Sequence, residues 1–168
     1  LWDRTHDVLG NSSPLKKIYG DMLFPKLRAW DADASSRPHA LLAASAEVQR
    51  RIQLYWRKPS TVVHPPVSDA WFEPDGRHHV RSHFLIVSTL APYKRIDLAI
   101  EACNKLKMPH KIAGDGSQRA ELERMAGPTV EFLGHLSPQE LLPYYRTAYA
   151  TLVPGEEDFG LVPVESMA

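Results

Sequence analysis

From residue 84 onward, short apolar runs alternate with amphipathic patterns at the spacing of βα units, which restricts the chain to a parallel sheet layered with helices. Phe84-Leu85-Ile86-Val87-Ser88 is nearly continuous apolar, as a strand buried on both faces requires. Ile96, Ala99, Ile100, Cys103 and Leu106 then recur at helical spacing. Lys111-Ile112-Ala113 is a short strand running into Gly114-Asp115-Gly116, and Ser117 is expected to open a helix to about Met125. Val130-Glu131-Phe132-Leu133 is the third strand. Ser137-Pro138-Gln139-Glu140 is a complete capping box with proline at the first helical position. The helix it starts should turn Leu141, Leu142, Tyr145 and Ala148 to the core. Ala150-Thr151-Leu152-Val153 is the fourth strand, followed by a loop over 154–160 and a last helix. The expected fold class is α/β, a Rossmann-like parallel sheet with helices on both faces. Such sheets bind ligands at the carboxyl ends of their strands, here after Ser88, Ala113, Leu133 and Val153.

The stretch before residue 68 reads differently. Ser13-Pro14 suits a helix start, with the hydroxyl capping, and Leu15, Ile18, Tyr19, Met22 and Leu23 then share a face. Lys16, Lys17, Lys26 and Arg28 on this helix are read as a solvated face rather than a membrane-binding one, because the run is short and aspartates interrupt it. Residues 40–44 form a short strand candidate. Ser45 caps a helix to about Trp56, and residues 61–64 form a second strand stopped by Pro65-Pro66. Pro, Gly, Asp, Arg and His dominate 68–82, the best linker in the chain. His78, His79 and His83 cluster there and are read as solvated, not as metal ligands.

Composition narrows the function. The 20 Lys and Arg balance the 20 Asp and Glu, so no net field points to nucleic acid. Cys103 is the single cysteine, which excludes an internal disulfide framework and is read as a buried small hydrophobe. No apolar run reaches the length of a transmembrane helix. From residue 129 onward the acids Glu131, Glu140, Glu156, Glu157, Asp158 and Glu165 face a single basic side chain, Arg146. An acidic cluster near a nucleotide site grips hydroxyl groups or a cation rather than phosphate.

Three strand ends carry candidate chemistry. Lys94 and Arg95 stand at a helix entrance, where a point charge, a planar fork and free backbone N–H groups together suit a diphosphate. Two solvated charges flanking a turn would look the same. Gly114-Asp115-Gly116 is a tight turn that admits close backbone approach, but it is not GxGxxG, and an ordinary turn would read alike. The most specific segment is Glu156-Glu157-Asp158-Phe159-Gly160-Leu161-Val162-Pro163-Val164-Glu165. One carboxylate, Glu157, lies in the loop and another, Glu165, in the following helix, and a carboxylate can hold two sugar hydroxyls at once. Pro163 stands where a helix tolerates it, in the first turn.

Residues 92–100 with Lys94 and Arg95, then Gly114 to Gly116, then Phe132-Leu133-Gly134, then Glu157 through Glu165 resemble, in order and spacing, the group-1 (family 4) retaining glycosyltransferases. His64-Pro65-Pro66-Val67 resembles their hinge strand. The resemblance covers essentially the whole chain, and the E-x7-E segment is its most specific part. It implies the GT-B arrangement of two facing Rossmann-like domains. Residues 1–67 would then end the acceptor domain, 68–82 would link, and 83–168 would be most of the nucleotide-sugar donor domain, incomplete at its end. By the same resemblance Glu157 contacts hydroxyls of the transferred sugar and Glu165 the ribose. Lys94, with Arg95, stabilises the departing diphosphate. Gly114, Asp115, Gly116, Gly134 and His135 shape the diphosphate and base pockets. The chain at Asp158, Phe159, Gly160 and Leu161 lines the phosphates.

The implied reaction transfers a hexose, mannose by the resemblance, from a GDP- or UDP-linked donor to a glycan or lipid-linked acceptor with retention. No metal and no cofactor are expected, since the basic side chains take the ion's role and the nucleotide sugar is a substrate. The implied location is cytoplasmic, at the inner face of the membrane if the protein is peripheral. Relatives often carry Arg five residues before the lysine. This chain has Thr89 there, with Arg95 as the compensating charge. The chain begins at Leu1 and stops at Ala168, so by itself it is expected not to build an intact catalytic cleft. The alternatives are a nucleotide-sugar-binding module without catalysis and a dehydrogenase, the latter opposed by the missing GxGxxG.

Overall fold

The computed structural model describes residue 2 and residues 13–72 and 76–168, and the chain divides into two compact units, Leu1–Pro65 and Pro66–Ala168. In the first unit, α1 (Pro14–Ala34) precedes a small parallel pair, β1 (Leu42–Ala43) and β2 (Thr61–Val62), bridged by α2 (Ala46–Trp56). Proline begins α1 as expected, but the Ser13 hydroxyl makes no cap bond. Both strands are shorter than the expected 40–44 and 61–64. The apolar run is rich in alanine, and the side chain of Leu42 is exposed, so little burial rewards further pairing. Ser45 does cap α2, accepting from the Val48 N–H at 3.2 Å. The indoles of Trp2 and Trp56 both donate to Asp31 Oδ2, at 2.7 and 2.8 Å, and so tie α1 to the chain on either side of it. On α1 the apolar side chains Leu15, Ile18, Tyr19 and Met22 are exposed.

The second unit is an all-parallel four-stranded sheet in the order β5-β4-β3-β6. Its strands are β3 (His83–Val87), β4 (His110–Ala113), β5 (Val130–Gly134) and β6 (Ala148–Thr151). The helices are α3 (Ile96–Leu106), α4 (Arg119–Met125), α5 (Pro138–Thr147) and α6 (Leu161–Met167). Ile86, Leu90, Ile96, Ile100, Ile112 and Leu122 form the fully buried centre, with Ala99 beside them. Burying each of the larger side chains contributes about 1.5–3 kcal/mol, so this cluster of strand and helix residues is a main source of the unit's stability. Cys103 is buried on the same face, as its helical spacing indicates. Leu106 is not: it ends α3 in solvent, because the chain turns left-handed at Lys107 before another turn of cover is built.

Four further expectations need correction. The helix expected from Ser117 begins at Arg119, capped backbone-first at Gln118. The fourth strand is displaced by two residues, from 150–153 to Ala148–Thr151. Ala148, expected on the core face of α5, is instead the buried first residue of β6, since α5 stops at Thr147. His83, read as part of a solvated cluster, is 1% exposed and opens β3.

The capping box of α5 is complete. Ser137 Oγ accepts from the Glu140 N–H at 3.4 Å and the Glu140 carboxylate accepts from the Ser137 N–H at 2.8 Å. The Ser137 N–H first, and the Ser137 hydroxyl donating to the same carboxylate at 2.7 Å second, hold the Glu140 carboxyl below its ordinary range. Replacing Ser137 by Ala should lower stability by about 1 kcal/mol, read as a small fall in the urea midpoint at unchanged slope.

Candidate functional site

An open cleft of about 350 Å³ lies at the carboxyl ends of β3, β4 and β5, where a parallel sheet is expected to hold its ligand. Ser88 and Thr89 follow β3, Gly114 and Asp115 follow β4, His135 follows β5, and Val162 closes from α6. The floor is stitched by backbone. The Ser88 N–H donates to the Ala113 carbonyl at 3.0 Å and the Leu90 N–H to the Asp115 carbonyl at 2.9 Å. The Gln118 N–H donates to the Leu90 carbonyl at 3.0 Å.

The Gly-Asp-Gly turn packs closely against the chain that follows β3. Gly114 has φ +130, and a Cβ built there would stand 1.9 Å from the Ser88 carbonyl oxygen; one on Gly116 would stand 2.5 Å from that of Leu90. Only glycine fits at Gly114, on conformation and on space. Asp115 faces its own turn: it accepts from the Gly116 N–H at 2.7 Å and from Arg119 Nη1 at 3.3 Å. Gly134, with φ +73, ends β5 and lets the chain swing His135 to the cleft wall.

Lys94 and Glu157 meet beside this cleft. Lys94 closes the short 3-10 turn Pro92–Lys94, and Glu157 comes from the loop after β6, 63 residues later in the sequence. Their side chains pair at 2.5 Å with exposures of 15% and 31%, and Lys94 Nζ also lies 5.2 Å from the Tyr93 ring centroid. Gly155 makes the approach possible, since a Cβ there would stand 2.7 Å from Lys94 Cα. A lysine carries three N–H donors, so the pair still presents ammonium hydrogens to an incoming anion.

The remaining predicted residues divide. Arg95, left-handed at φ 49, turns its guanidinium to Asp97, Nη2 to Oδ2 at 3.0 Å; that bond first, and the Asp97 charge second, hold its pKa above the ordinary value. Gly160, buried with φ 84, caps α6, and Leu161 begins that helix exposed. Asp158 is exposed and Phe159 half-buried in the same loop. Glu165 lies on α6, where its Oε2 accepts from the Tyr145 hydroxyl at 3.2 Å. Sequence reasoning passed over Gly155, Val162 and the Tyr145 hydroxyl as site residues. A glycine directly after Pro154 in a strand-end loop is a signal for the first. The other two carry no local signal, because their meaning depends on contacts across the fold.

A parallel α/β layer with its cleft at the strand ends is the class this unit defines, and it is the layer of GT-B glycosyltransferases. The chain superposes on sucrose-phosphate synthase from Thermosynechococcus elongatus with a TM-score of 0.70 at 18% identity, covering 83% of this chain and 41% of that one. A TarM variant from S. aureus, crystallised with fondaparinux, alpha-GlcNAc-glycerol and UDP, superposes with a TM-score of 0.67 at 17% identity, covering 84% and 30%. In sequence, the glycosyl transferases group 1 family matches residues 68–168. The D-inositol 3-phosphate glycosyltransferase of Acidothermus cellulolyticus is 30% identical over 153 residues, 73% of this chain and 34% of that protein. An uncharacterised glycosyltransferase of Methanocaldococcus jannaschii is 24% identical over 140 residues, covering 80% and 39%. The chain belongs to the glycosyl transferases group 1 family. It spans between about a third and two fifths of the length of these two relatives.

Proposed function

We propose that residues 83–168 form most of a donor-binding domain that takes a nucleotide-diphosphate sugar and passes its hexose, with retention, to a glycan or lipid-linked acceptor. The observation that carries this reading is the Lys94–Glu157 pair beside an open cleft at the ends of β3–β5, a cation and a carboxylate side by side at one rim. Breaking a sugar–phosphate bond leaves an oxocarbenium-like sugar and a diphosphate that gains negative charge. A fixed ammonium at the leaving group therefore stabilises the transition state more than the ground state. In this role Lys94 supplies the charge. Glu157 orients Lys94 and accepts from hydroxyls of the transferred sugar. It is not assigned as a nucleophile, since retention by front-face attack needs no covalent sugar–enzyme bond.

The cleft itself takes the nucleotide, with the Gly114–Gly116 turn and His135 against it and Glu165 on the ribose. We place residues 1–67 in the acceptor domain with 68–82 as linker. The reaction is assigned to the cytoplasmic side, with a GDP- or UDP-linked donor and no resident metal. Among the described residues no helix is long and apolar enough to cross a membrane.

Calorimetric titration with GDP, UDP, ADP, their sugar conjugates and NAD tests the proposal. One nucleoside diphosphate should bind, and Lys94→Ala should weaken it roughly 10- to 100-fold, the worth of one charge-assisted hydrogen bond. Glu157→Ala should weaken the sugar conjugate more than the bare diphosphate. Preference for NAD, or equal binding by Lys94→Ala and the parent chain, would remove the reading.

A further inference from the structure

The segment expected to be a plain linker reaches the second carboxylate of the E-x7-E pair through two aromatic rings. Residues Asp69–Phe72 form a 3-10 turn, and the Trp71 ring meets the Tyr145 ring edge-on, centroids 5.4 Å apart at 87°. Tyr145, on α5, donates its hydroxyl to Glu165 Oε2 at 3.2 Å, a part-buried bond spanning 20 residues of sequence. A glutamate on a short helix has three rotatable bonds, and an unheld carboxylate samples many positions at an entropic cost when a ligand fixes it. Here one oxygen is already engaged and the other is left to accept. The hydroxyl is also a dependable donor. Burial first, and the Glu165 charge second, hold the phenol well above its ordinary pKa, so it keeps its proton. Next to Glu165 on α6, Thr151 Oγ1 and Ser166 Oγ lie 2.6 Å apart, which ties the helix carrying Glu165 to the end of β6.

We infer that Tyr145, with its ring braced by Trp71, is a positioning residue that presents the free oxygen of Glu165 to a ribose hydroxyl, so that discrimination of ribo- from deoxynucleotides depends on Tyr145. This rests on the reading that Glu165 holds the ribose. Neither aromatic residue touches the nucleotide in this scheme. Both act through the carboxylate, and their effect falls on ribose recognition rather than on phosphate or base.

The test is the affinity of the chain for GDP, UDP and ADP and for their 2′-deoxy and 3′-deoxy counterparts, in the parent and in Tyr145→Phe, Trp71→Leu and Glu165→Gln. Tyr145→Phe keeps the ring that packs on Trp71 and removes only the hydroxyl, so the fold is expected to stand. The ribonucleotide preference of the parent should fall about tenfold in Tyr145→Phe while deoxynucleotide affinity holds, and Trp71→Leu should fall between the two. Added to Glu165→Gln, the tyrosine change should do nothing more. A parent that prefers the ribonucleotide, with Tyr145→Phe preferring it equally, overturns the inference and leaves the Glu165 reading intact. A parent with no ribose preference overturns the Glu165 reading and the inference together. A general loss of affinity for ribo- and deoxynucleotides alike in Tyr145→Phe assigns the tyrosine a packing role and also overturns the inference.

Discussion

Gly114→Ala should lower the stability of the second unit by about 3–5 kcal/mol, the sum of a left-handed-side backbone conformation and an overpacked contact. The contact is with backbone, not with a side chain that can step aside: the added Cβ would stand 1.9 Å from the Ser88 carbonyl oxygen. Relief would require moving either the β4 end or the β3 end. The Ser88 N–H to Ala113 carbonyl bond at 3.0 Å joins those two, and the Gly114 N–H to Gly134 carbonyl bond at 2.6 Å ties the β4 end to β5. The ends of β3, β4 and β5 would have to shift together, and the cleft they line would shift with them. A domain of ordinary stability holds only about 5–15 kcal/mol, so the change takes a large share of it. For a unit of about a hundred residues the melting temperature should fall by well over 10 °C.

Gly76→Ala is the control, because Gly76 is also left-handed, at φ +63, but has nothing within 4 Å of an added Cβ. It should cost about 1 kcal/mol through conformation alone. Thermal unfolding followed by circular dichroism separates the two. Equal small shifts for both variants would mean that the close approach of Gly114 to Ser88 is not a feature of the folded chain.

How much of this was legible beforehand follows from where each signal lies. The β3 run is nearly all apolar because both its faces are covered, and α3 repeats its apolar residues at helical spacing because one stripe meets that sheet. Both are local consequences of burial and can be read from neighbouring residues. β6 is different. It is an edge strand made of Ala148, Tyr149, Ala150 and Thr151, with Tyr149 and Ala150 exposed, so its composition barely departs from that of a loop. Its start is decided by α5, which carries Pro143 inside it and ends where Thr147 Oγ1 donates back to the Pro143 carbonyl at 2.7 Å. The more apolar Leu152 and Val153 drew the expectation two residues too far. Leu152 still donates to the Leu85 carbonyl at 2.7 Å, so the chain remains beside β3 after the strand ends. His83 was misread for a related reason. Polar neighbours on one side outweighed the apolar run on the other, although a strand can begin with a buried polar residue.

The site shows the same division. Lys94, Gly114 and Glu157 each stand at a strand end, and the topology alone makes strand ends important. Their pairing was not readable locally. That Lys94 reaches Glu157, that Gly155 must be small to allow it, and that Arg95 turns to Asp97 instead are facts of three-dimensional approach between segments up to 63 residues apart. Resemblance to a family marks Glu157 and Glu165 as candidates for a site, but it does not connect Glu165 with Tyr145.

Acid should unfold the second unit through a residue far from the site in chemistry. His110, at the start of β4, is fully buried, and neither ring nitrogen has a hydrogen-bond partner among the described residues. Burial first, and the neighbouring His83 second, push its pKa down to about 4 from an ordinary 6.5. His83 is lowered as well, by burial first and then by the charge of Lys111. For a base depressed in the folded state, the unfolded chain takes up the proton first. Stability is therefore complete above about pH 6.5 and falls as the pH drops toward 4, where the folded imidazole finally titrates. A shift of that size corresponds to about 3 kcal/mol lost across the window, with His83 adding to it in the same direction. Urea unfolding at pH 7.5, 6, 5 and 4.5 measures the slope. His110→Leu puts an apolar side chain of similar size in place of the imidazole, removes two unpaired ring nitrogens and should be neutral to stabilising at pH 7.5. Its main effect should be a flatter profile: the loss between pH 6.5 and 4.5 should shrink by more than half, leaving the His83 share and that of the carboxylates. A profile as steep in His110→Leu as in the parent would assign the acid sensitivity to the carboxylates, Glu140 at the α5 cap among them, and not to the buried histidine.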